Sequence, residues 1–384
     1  MLEQPSSSFL TACLLFVAAS LPAIIIYRLF LIYRKRMDEV CTTIIPEVNT
    51  ITTPYKSQKI IKKDELELQK PTPVPVKDEV KITQETPQTV SKSFKLSSGV
   101  RYVPKDGNRT GYNNPNRPNA GEDAFFVYNN NDVGSRLVGA LGVADGVGGY
   151  GELGVDAGLM AWQMMENSVE NFKLVGSREL YRTPREILHR SYEKIVNEKQ
   201  VECGGTTACL VSIFKDATTD NMFLNYSNLG DSGFLLVRNG EVVFRTVDQT
   251  HYFNAPYQLA IPPKGRVVLM NDPNESDTLY EEDLITVKEG DYIILATDGM
   301  WDNVFDEDVV EVLQKNIIQH GSDIEKIVDS TSEELLSKTY AISVNTPSPT
   351  LTPFQRYAQQ FRRNWVGGKV DDITLVVACI SIKE

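Results

Sequence analysis

The stretch GVADGVGG, residues 142–149, places a carboxylate at the end of an apolar run and follows it with a glycine-rich turn. The run itself, residues 137–144, is apolar throughout and predicts a buried strand. Asp145 then stands at the strand end, and the glycines leave no bulky side chain beside it. The turn is therefore expected to hold a nucleotide phosphate or a metal ion, unless it is a structural turn only.

Residues 146–151 match the pattern G-x-G-x-x-G between a predicted strand and a predicted helix, which is typical of a dinucleotide-binding fold. Two observations argue against that interpretation. The carboxylate of Asp145 would repel a pyrophosphate, and the later strands are linked by hairpins rather than by helices. We therefore favour a cation at this turn.

Hydrophobic periodicity predicts an alternation of strands and helices over residues 98–384. A capping box at Thr183–Glu186 predicts a helix start, and Asn239-Gly240 predicts a tight hairpin. Further predictions are helices at 153–172 and 307–318 and strands at 209–214, 222–228, 234–237, 242–244, 284–287, 291–296 and 373–382. Hairpin-linked strands pair antiparallel, so we expect an α+β fold, an antiparallel β-sandwich flanked by helices on both outer faces.

Charge and composition exclude several kinds of site. The 384 residues carry a formal net charge of −12, which leaves no basic face for nucleic acid. Five cysteines and three histidines occur without the spacing of a zinc site or a disulfide framework. We expect a monomer in a reducing compartment.

The N-terminal part is predicted to be a membrane anchor. Residues 4–27 contain no charge and would form a helix of roughly 36 Å, against a bilayer core of about 30 Å. Residues 1–36 are therefore expected to form a transmembrane anchor with a basic flank, in contact with the membrane through residues 9–33. A cleaved signal peptide would begin with basic residues, and a mitochondrial presequence would contain arginines. This sequence has neither feature before Arg28. Residues 37–97, rich in Thr, Lys, Glu and Pro, predict a disordered linker.

Acidic residues recur at the ends of predicted strands: Asp145, Asp298, Asp371 and the pair Glu122-Asp123. A single acidic residue at the end of a strand is common in turns and needs no functional explanation. Together they predict one cluster, and several carboxylates in one place stay ionised only beside a cation. Oxygen donors without Cys or His suit Mg²⁺ or Mn²⁺. Asp231, in a tight turn between two strands, is expected beside the site rather than in it.

Six motifs, in this order, carry a resemblance to a known family: GEDAFF, VADGVGG, GGTTA, NLGDSG, ATDGMWDN and GGKVDDIT. Over residues 98–384 the chain resembles the metal-dependent serine/threonine protein phosphatases of the 2C class. The DGVGG form and residues 253–259 are most similar to the fungal and animal mitochondrial subfamily. The resemblance implies a β-sandwich flanked by helices, phosphoprotein substrates and two Mg²⁺ or Mn²⁺ ions.

The resemblance also implies a role for each acid. Asp145 would bridge two metal ions, the Gly146 carbonyl would ligate one of them, and Asp298 and Asp371 would hold the other. Glu122 and Asp123 would act mainly through bound waters. Paired cations activate a water for in-line attack on phosphoserine or phosphothreonine, without a phosphoenzyme. Asp145 and Asp123 are the expected catalytic residues.

Two positions depart from the family pattern. Val147 stands where many members have a histidine that serves as general acid, and Pro118 stands where many have a phosphate-binding arginine. Arg117 is then the predicted phosphate ligand, and His251 could replace the acid. These departures keep an alternative open, a pseudophosphatase that binds phosphoproteins without turnover. A calcium-binding adaptor is less consistent with ligands scattered along the chain.

The anchor and the resemblance favour different membranes. The basic residues after the span place the catalytic domain on the cytosolic side, at the endoplasmic reticulum or nuclear envelope. The subfamily resemblance favours the mitochondrion instead.

Overall fold

The computed structural model describes residues 93–105, 117–132, 134–176, 182–216, 219, 221–279, 283–345 and 350–382. All of them belong to one compact unit, Glu85–Glu384. The predicted anchor and nearly all of the predicted linker lie outside the described residues. In the part of the chain that is described, none of the helices combines the length and the apolar composition needed to cross a bilayer.

The described elements alternate between strands and helices along the chain. The strands are β1 (Phe94–Val103), β2 (Asp123–Asn129), β3 (Leu137–Asp145), β4 (Gly204–Thr206), β5 (Ala208–Lys215), β6 (Met222–Leu229), β7 (Gly233–Arg238), β8 (Glu241–Arg245), β9 (Thr250–Tyr252), β10 (Ala255–Pro256), β11 (Leu259–Ile261), β12 (Asp277–Thr278), β13 (Ile285–Val287), β14 (Tyr292–Ala296) and β15 (Ile373–Ile382). The α-helices are α1 (Ala157–Gly176), α2 (Pro184–Glu198), α3 (Asp298–Trp301), α4 (Asp306–His320), α5 (Ile324–Ser343) and α6 (Pro353–Gln360).

Two antiparallel sheets form the centre of the domain. The first has the order β1-β15-β14-β7-β8, and the second has the order β12-β6-β5-β3-β2, with β13 also paired to β6. Buried side chains of both sheets pack between them, among them Leu141, Val211, Phe234, Leu295 and Val376. The expected β-sandwich is confirmed.

Helices cover both outer faces of the sandwich. Methionines and leucines of α1 and α2 pack on the second sheet, through Met160, Met164 and Leu188. Helices α4 and α5 cover the first sheet with apolar residues such as Val309 and Val328. The central strands are therefore covered on both faces, which explains why β3, β5 and β15 are buried along nearly their whole length and mostly apolar, without an alternating polar face.

Local sequence chemistry sets the predicted turns and helix starts. Asn239 and Gly240 both have positive φ, 53° and 77°, as the two-residue turn between β7 and β8 requires. Thr183 caps α2, since its side chain accepts from the Glu186 amide while Glu186 accepts from the Thr183 amide.

The structure differs from the local sequence patterns in several places. The helix predicted at 153–172 begins at Ala157, because Gly148–Leu153 forms a 3₁₀ turn first. The apolar pattern of α2 predicts that Val196 shares the buried face with Ile195, but Val196 is 44% exposed. Helix α5 was not predicted. Strand β1 begins at Phe94, four residues before the predicted domain start at residue 98, and pairs with β15 along its whole length.

Candidate metal centre

The acids at the strand ends converge on one end of the sandwich. Asp123 begins β2 and Asp145 ends β3, and the two residues are directly opposite in the antiparallel register. Asp298 follows β14, and Asp371 precedes β15 in the neighbouring sheet. Thr297, next to Asp298, donates its hydroxyl to Asp123 Oδ2 at 2.8 Å, so the two sheets meet at this cluster.

Asp231 lies in the cluster and not beside it. One carboxylate oxygen from each of Asp145, Asp231 and Asp298 lies within 4.8 Å of the other two. The prediction that Asp231 stands outside the site was therefore wrong. The tight turn between β6 and β7 explains the difference, because it carries Asp231 to the same edge where β3 and β14 end.

Burial of these acids leaves several oxygens unpaired. One carboxylate oxygen each of Asp123, Asp231 and Asp298 is buried without a hydrogen-bond partner. Loss of hydration, with repulsion from neighbouring carboxylates, raises the pKa values of Asp123, Asp145 and Asp231 well above the usual range. Like charges this close favour either protonation or a bound cation.

Lys105 supplies one positive charge to the cluster. Its Nζ lies 2.9 Å from Glu122 Oε2 and 3.0 Å from Asp371 Oδ1, with Asp372 at 3.6 Å. Although burial alone would lower it, the pKa of Lys105 is raised by Asp371 and the other two acids.

Lys369 supplies a second positive charge. Its Nζ lies 2.5 Å from Asp298 Oδ2, 2.6 Å from Asp302 Oδ2 and 3.5 Å from Asp371 Oδ2. Asp371 is also affected: burial raises its pKa, but the two lysines outweigh burial and lower it. Sequence reasoning missed Lys105, Lys369 and Asp302. The available signal was GGKVDD, which places Lys369 two residues before Asp371.

Gly146 is packed too tightly for any side chain. A Cβ there would lie 2.3 Å from the Ala157 carbonyl oxygen and 2.6 Å from that of Glu122. The flanking backbone is fixed as well, since the carbonyl of Asp145 accepts from Thr206 Oγ1 at 3.0 Å and from the Thr207 amide at 2.9 Å. Because residue 146 is glycine, the turn can lie against the start of α1 and the start of β2.

Arg117 and His251 make contacts of their own. The guanidinium of Arg117 forms two 2.7 Å hydrogen bonds with Glu166 of α1. His251 Nε2 lies 3.0 Å from Asn271 Oδ1, and its ring packs against Tyr257. The phosphate-binding role of Arg117 stays a prediction.

The donor set fits hard divalent cations. The converging ligands are carboxylates, several of their oxygens have no hydrogen-bond partner, and the described part of the cluster contains no Cys or His. Mg²⁺ and Mn²⁺ prefer such oxygen ligands. The two ammonium groups show where the cluster already accommodates positive charge.

No family model matches the chain. Among curated relatives, the protein phosphatase PTC7 homolog fig of Drosophila willistoni is 36% identical over 271 residues, which is 69% of this chain and 78% of the relative. The same homolog in Drosophila grimshawi is 34% identical over 269 residues, covering 69% of this chain and 80% of the relative. Among solved structures, the photosystem II phosphatase PBCP superimposes with a TM-score of 0.54 at 26% identity, over 74% of this chain and 98% of that chain.

The sandwich and its acid cluster define a metal-dependent protein phosphatase of the 2C class. Within that class the chain belongs to the family of PTC7 homologues, because relatives above 30% identity match it over most of their length. It is accordingly a protein phosphatase, and the predicted fold and enzyme class are confirmed. The oxygen donors of the cluster fit the predicted Mg²⁺ or Mn²⁺.

Proposed function

We propose that the acid cluster holds two divalent cations and hydrolyses phosphoserine and phosphothreonine in proteins. The proposed ligands are Asp145, Gly146 (through its carbonyl), Asp298, Asp371 and Glu122, and the structure adds Asp231 to them. The observation that carries the proposal is the convergence of Asp145, Asp231 and Asp298 within 4.8 Å, with buried oxygens left unpaired.

When bound, the two cations supply an activated water and the positive charge that a phosphate group meets. The chain's own residues set the geometry. Asp123 is oriented by the Thr297 hydroxyl and lies opposite Asp145, so it can hold a water between the two sheets. Arg117, the predicted phosphate ligand, is paired with Glu166, whose carboxylate would compete with a phosphate for its guanidinium.

The test is hydrolysis of a phosphothreonine peptide with Mn²⁺. Asp145→Ala should lower kcat/KM by about a thousandfold or more, since metal ions contribute several kcal/mol to such reactions. A chelator should abolish the wild-type activity. Equal activity in wild type and variant would contradict the ligand assignment, and bound phosphopeptide without phosphate release would favour a pseudophosphatase.

We also propose that residues 1–36 anchor the enzyme in a membrane, and that the residues between them and β1 link the anchor to the catalytic domain. The uncharged stretch at residues 4–27, followed by Arg34-Lys35-Arg36, supports this proposal. The proposed location is the endoplasmic reticulum or nuclear envelope, with the catalytic domain in the cytosol as a monomer.

A fluorescent fusion with and without residues 1–36 tests the anchor. Membrane association should be lost only in the truncated form. Unchanged association would exclude the anchor, and mitochondrial localisation of the full chain would favour the alternative location. Sedimentation of the detergent-solubilised chain measures the oligomeric state.

A further inference from the structure

A cluster of aromatic and arginine side chains surrounds α6 and the loop that follows it. We call this cluster the aromatic–arginine face. Its members are Phe253, Tyr357, Phe361, Arg362, Arg363 and Trp365.

The rings of this face pack on one another and still reach solvent. Phe253, in the turn between β9 and β10, lies 5.2 Å from Tyr357 and 5.5 Å from Phe361, centroid to centroid. Tyr357 and Phe361 meet edge to face at 5.1 Å. Such pairs contribute about 0.5–1.5 kcal/mol each, so the cluster is preformed. Phe361 nevertheless remains 46% exposed and Trp365 37% exposed.

The face adjoins the metal centre through one buried side chain. The ring of Phe354 lies 4.9 Å from that of Trp365 and 5.0 Å from the ammonium of Lys369. The Phe354 amide also donates to the carbonyl of Asp302 at 2.9 Å. The Trp365 ring therefore lies at most about 10 Å from the Lys369 ammonium. An extended peptide rises about 3.3 Å per residue, so about three residues span that distance.

The charge of the face differs from that of the whole chain. Residues 351–366 contain three arginines, Arg356, Arg362 and Arg363, and no acid, whereas the chain carries a net charge of −12. All three arginines are exposed. A local positive field beside the acid cluster favours a partner with carboxylates, which arginine can bind through two hydrogen bonds at once.

We propose that the aromatic–arginine face binds the substrate segment flanking the phosphorylated residue, and that this segment carries acidic and apolar side chains. The proposal rests on the proposed function, since it deepens the substrate class of that same site. Exposed aromatic and arginine residues contribute a large share of the binding energy in protein interfaces. The rings bind the apolar side chains, and Arg362 and Arg363 bind the carboxylates.

Two phosphothreonine peptides that differ only in their flanks test the proposal, one with Glu, Asp and Leu and the other with Lys and Ser. The full chain with Mn²⁺ should show a kcat/KM about tenfold higher for the acidic peptide, equivalent to about 1.4 kcal/mol. The double variant Arg362→Glu, Arg363→Glu should lose this preference. Hydrolysis of p-nitrophenyl phosphate, which has no flanks, should not change.

The matched control is Lys173→Glu with Arg190→Glu, which changes the net charge equally. Both residues are exposed on α1 and α2, and Lys173 lies in the last turn of α1, far from the Ala157 end beside Gly146. The control should keep the preference. A second variant, Phe361→Ala, should lower kcat/KM for the leucine-containing peptide only.

The possible results test the docking surface and the phosphatase activity separately. A wild type without preference, or a double variant that keeps it, would overturn the docking surface. If the wild type hydrolyses no p-nitrophenyl phosphate, the proposed function fails, and fluorescence anisotropy of the labelled peptides then tests the face by the same comparison. Loss of binding to phosphatidylserine vesicles in the double variant, with peptide preference intact, would assign the face to a membrane surface and overturn the proposal.

Discussion

Gly146 shows how one missing side chain shapes the metal centre. The Cβ of an alanine would meet two backbone carbonyl oxygens, which cannot move aside as the end of a flexible side chain can. Gly149, three residues later in the same turn, has open space around it. Only glycine fits at position 146, whereas position 149 has room for a side chain. Comparing the two positions therefore shows which glycine is required for steric reasons.

We expect Gly146→Ala to lower stability by about 1–3 kcal/mol, as overpacking does, and to weaken Mn²⁺ affinity at least tenfold. Gly149→Ala serves as the control and should change neither quantity. Urea unfolding and isothermal titration calorimetry measure the two effects. Normal metal binding by Gly146→Ala would show that the turn can shift without loss.

Lys369 balances three carboxylates in the metal-free protein. Removing the positive partner of buried acids typically costs about 3–5 kcal/mol, because uncompensated charge is left behind. We therefore expect Lys369→Met to destabilise the chelator-treated protein by an amount in this range. Mn²⁺ should restore most of the loss, since the cation replaces the ammonium.

Lys326→Met is the matched control, because Lys326 also pairs with an aspartate, Asp323, but on the exposed surface. Exposed pairs contribute little to stability, so this variant should behave like wild type. Thermal unfolding with and without Mn²⁺ gives both comparisons. If Mn²⁺ gives Lys369→Met and wild type the same gain, Lys369 does not share the cation's position.

At the scale of elements, the start of α2 is encoded locally. Thr183 and Glu186 exchange hydrogen bonds across the first turn, and Pro184 occupies the first helical position. Thr183→Ala should cost about 1 kcal/mol, the usual value of a helix cap, without changing kcat/KM. Thr183→Ser should restore stability. Urea unfolding measures the cost, and an unchanged midpoint in Thr183→Ala would show that packing alone holds the helix.

Helix α5 shows why local patterns can fail. Its buried face includes Thr331, Ser332 and Thr339 beside its apolar residues, so the apolar stripe is interrupted. The reason lies in tertiary packing: Gly99 of β1 approaches so closely that a Cβ there would lie 2.5 Å from Ser332 Oγ. Small hydroxyl side chains fit this narrow gap, and the sequence of α5 alone does not reveal its partner.

For the site, the sequence predicted the acids whose position follows from strand ends, such as Asp145 and Asp298. It missed Asp231, Lys105 and Lys369, because their approach depends on how separate turns meet in space. The family resemblance did not correct this, since it was carried over only onto the matching acids.

Across the domain, the acid cluster links folding to protonation. A carboxyl group whose pKa is raised on folding binds more protons in the native state, so its contribution to stability falls as pH rises. Burial raises the pKa of Asp302 to about 7, even with Lys369 opposing the shift, and Asp123 and Asp145 are shifted in the same direction.

We therefore expect the metal-free protein to be less stable at pH 8 than at pH 6. Saturating Mn²⁺ should raise stability by mass action, more so at pH 8, where protons no longer compete for the ligands. Urea unfolding at both pH values, with chelator or with Mn²⁺, measures this dependence. A metal-free protein that gains stability from pH 6 to pH 8 would contradict the repulsion among these acids.

The meeting of the two sheets at the acid cluster has a consequence for the lifetime of the protein in a cell. Because Asp123 and Asp145 belong to one sheet while Asp298 and Asp371 adjoin the other, loss of divalent ions would loosen this end of the sandwich. Proteases degrade chains that open more often. We expect manganese or magnesium starvation to reduce the abundance of this phosphatase as well as its turnover.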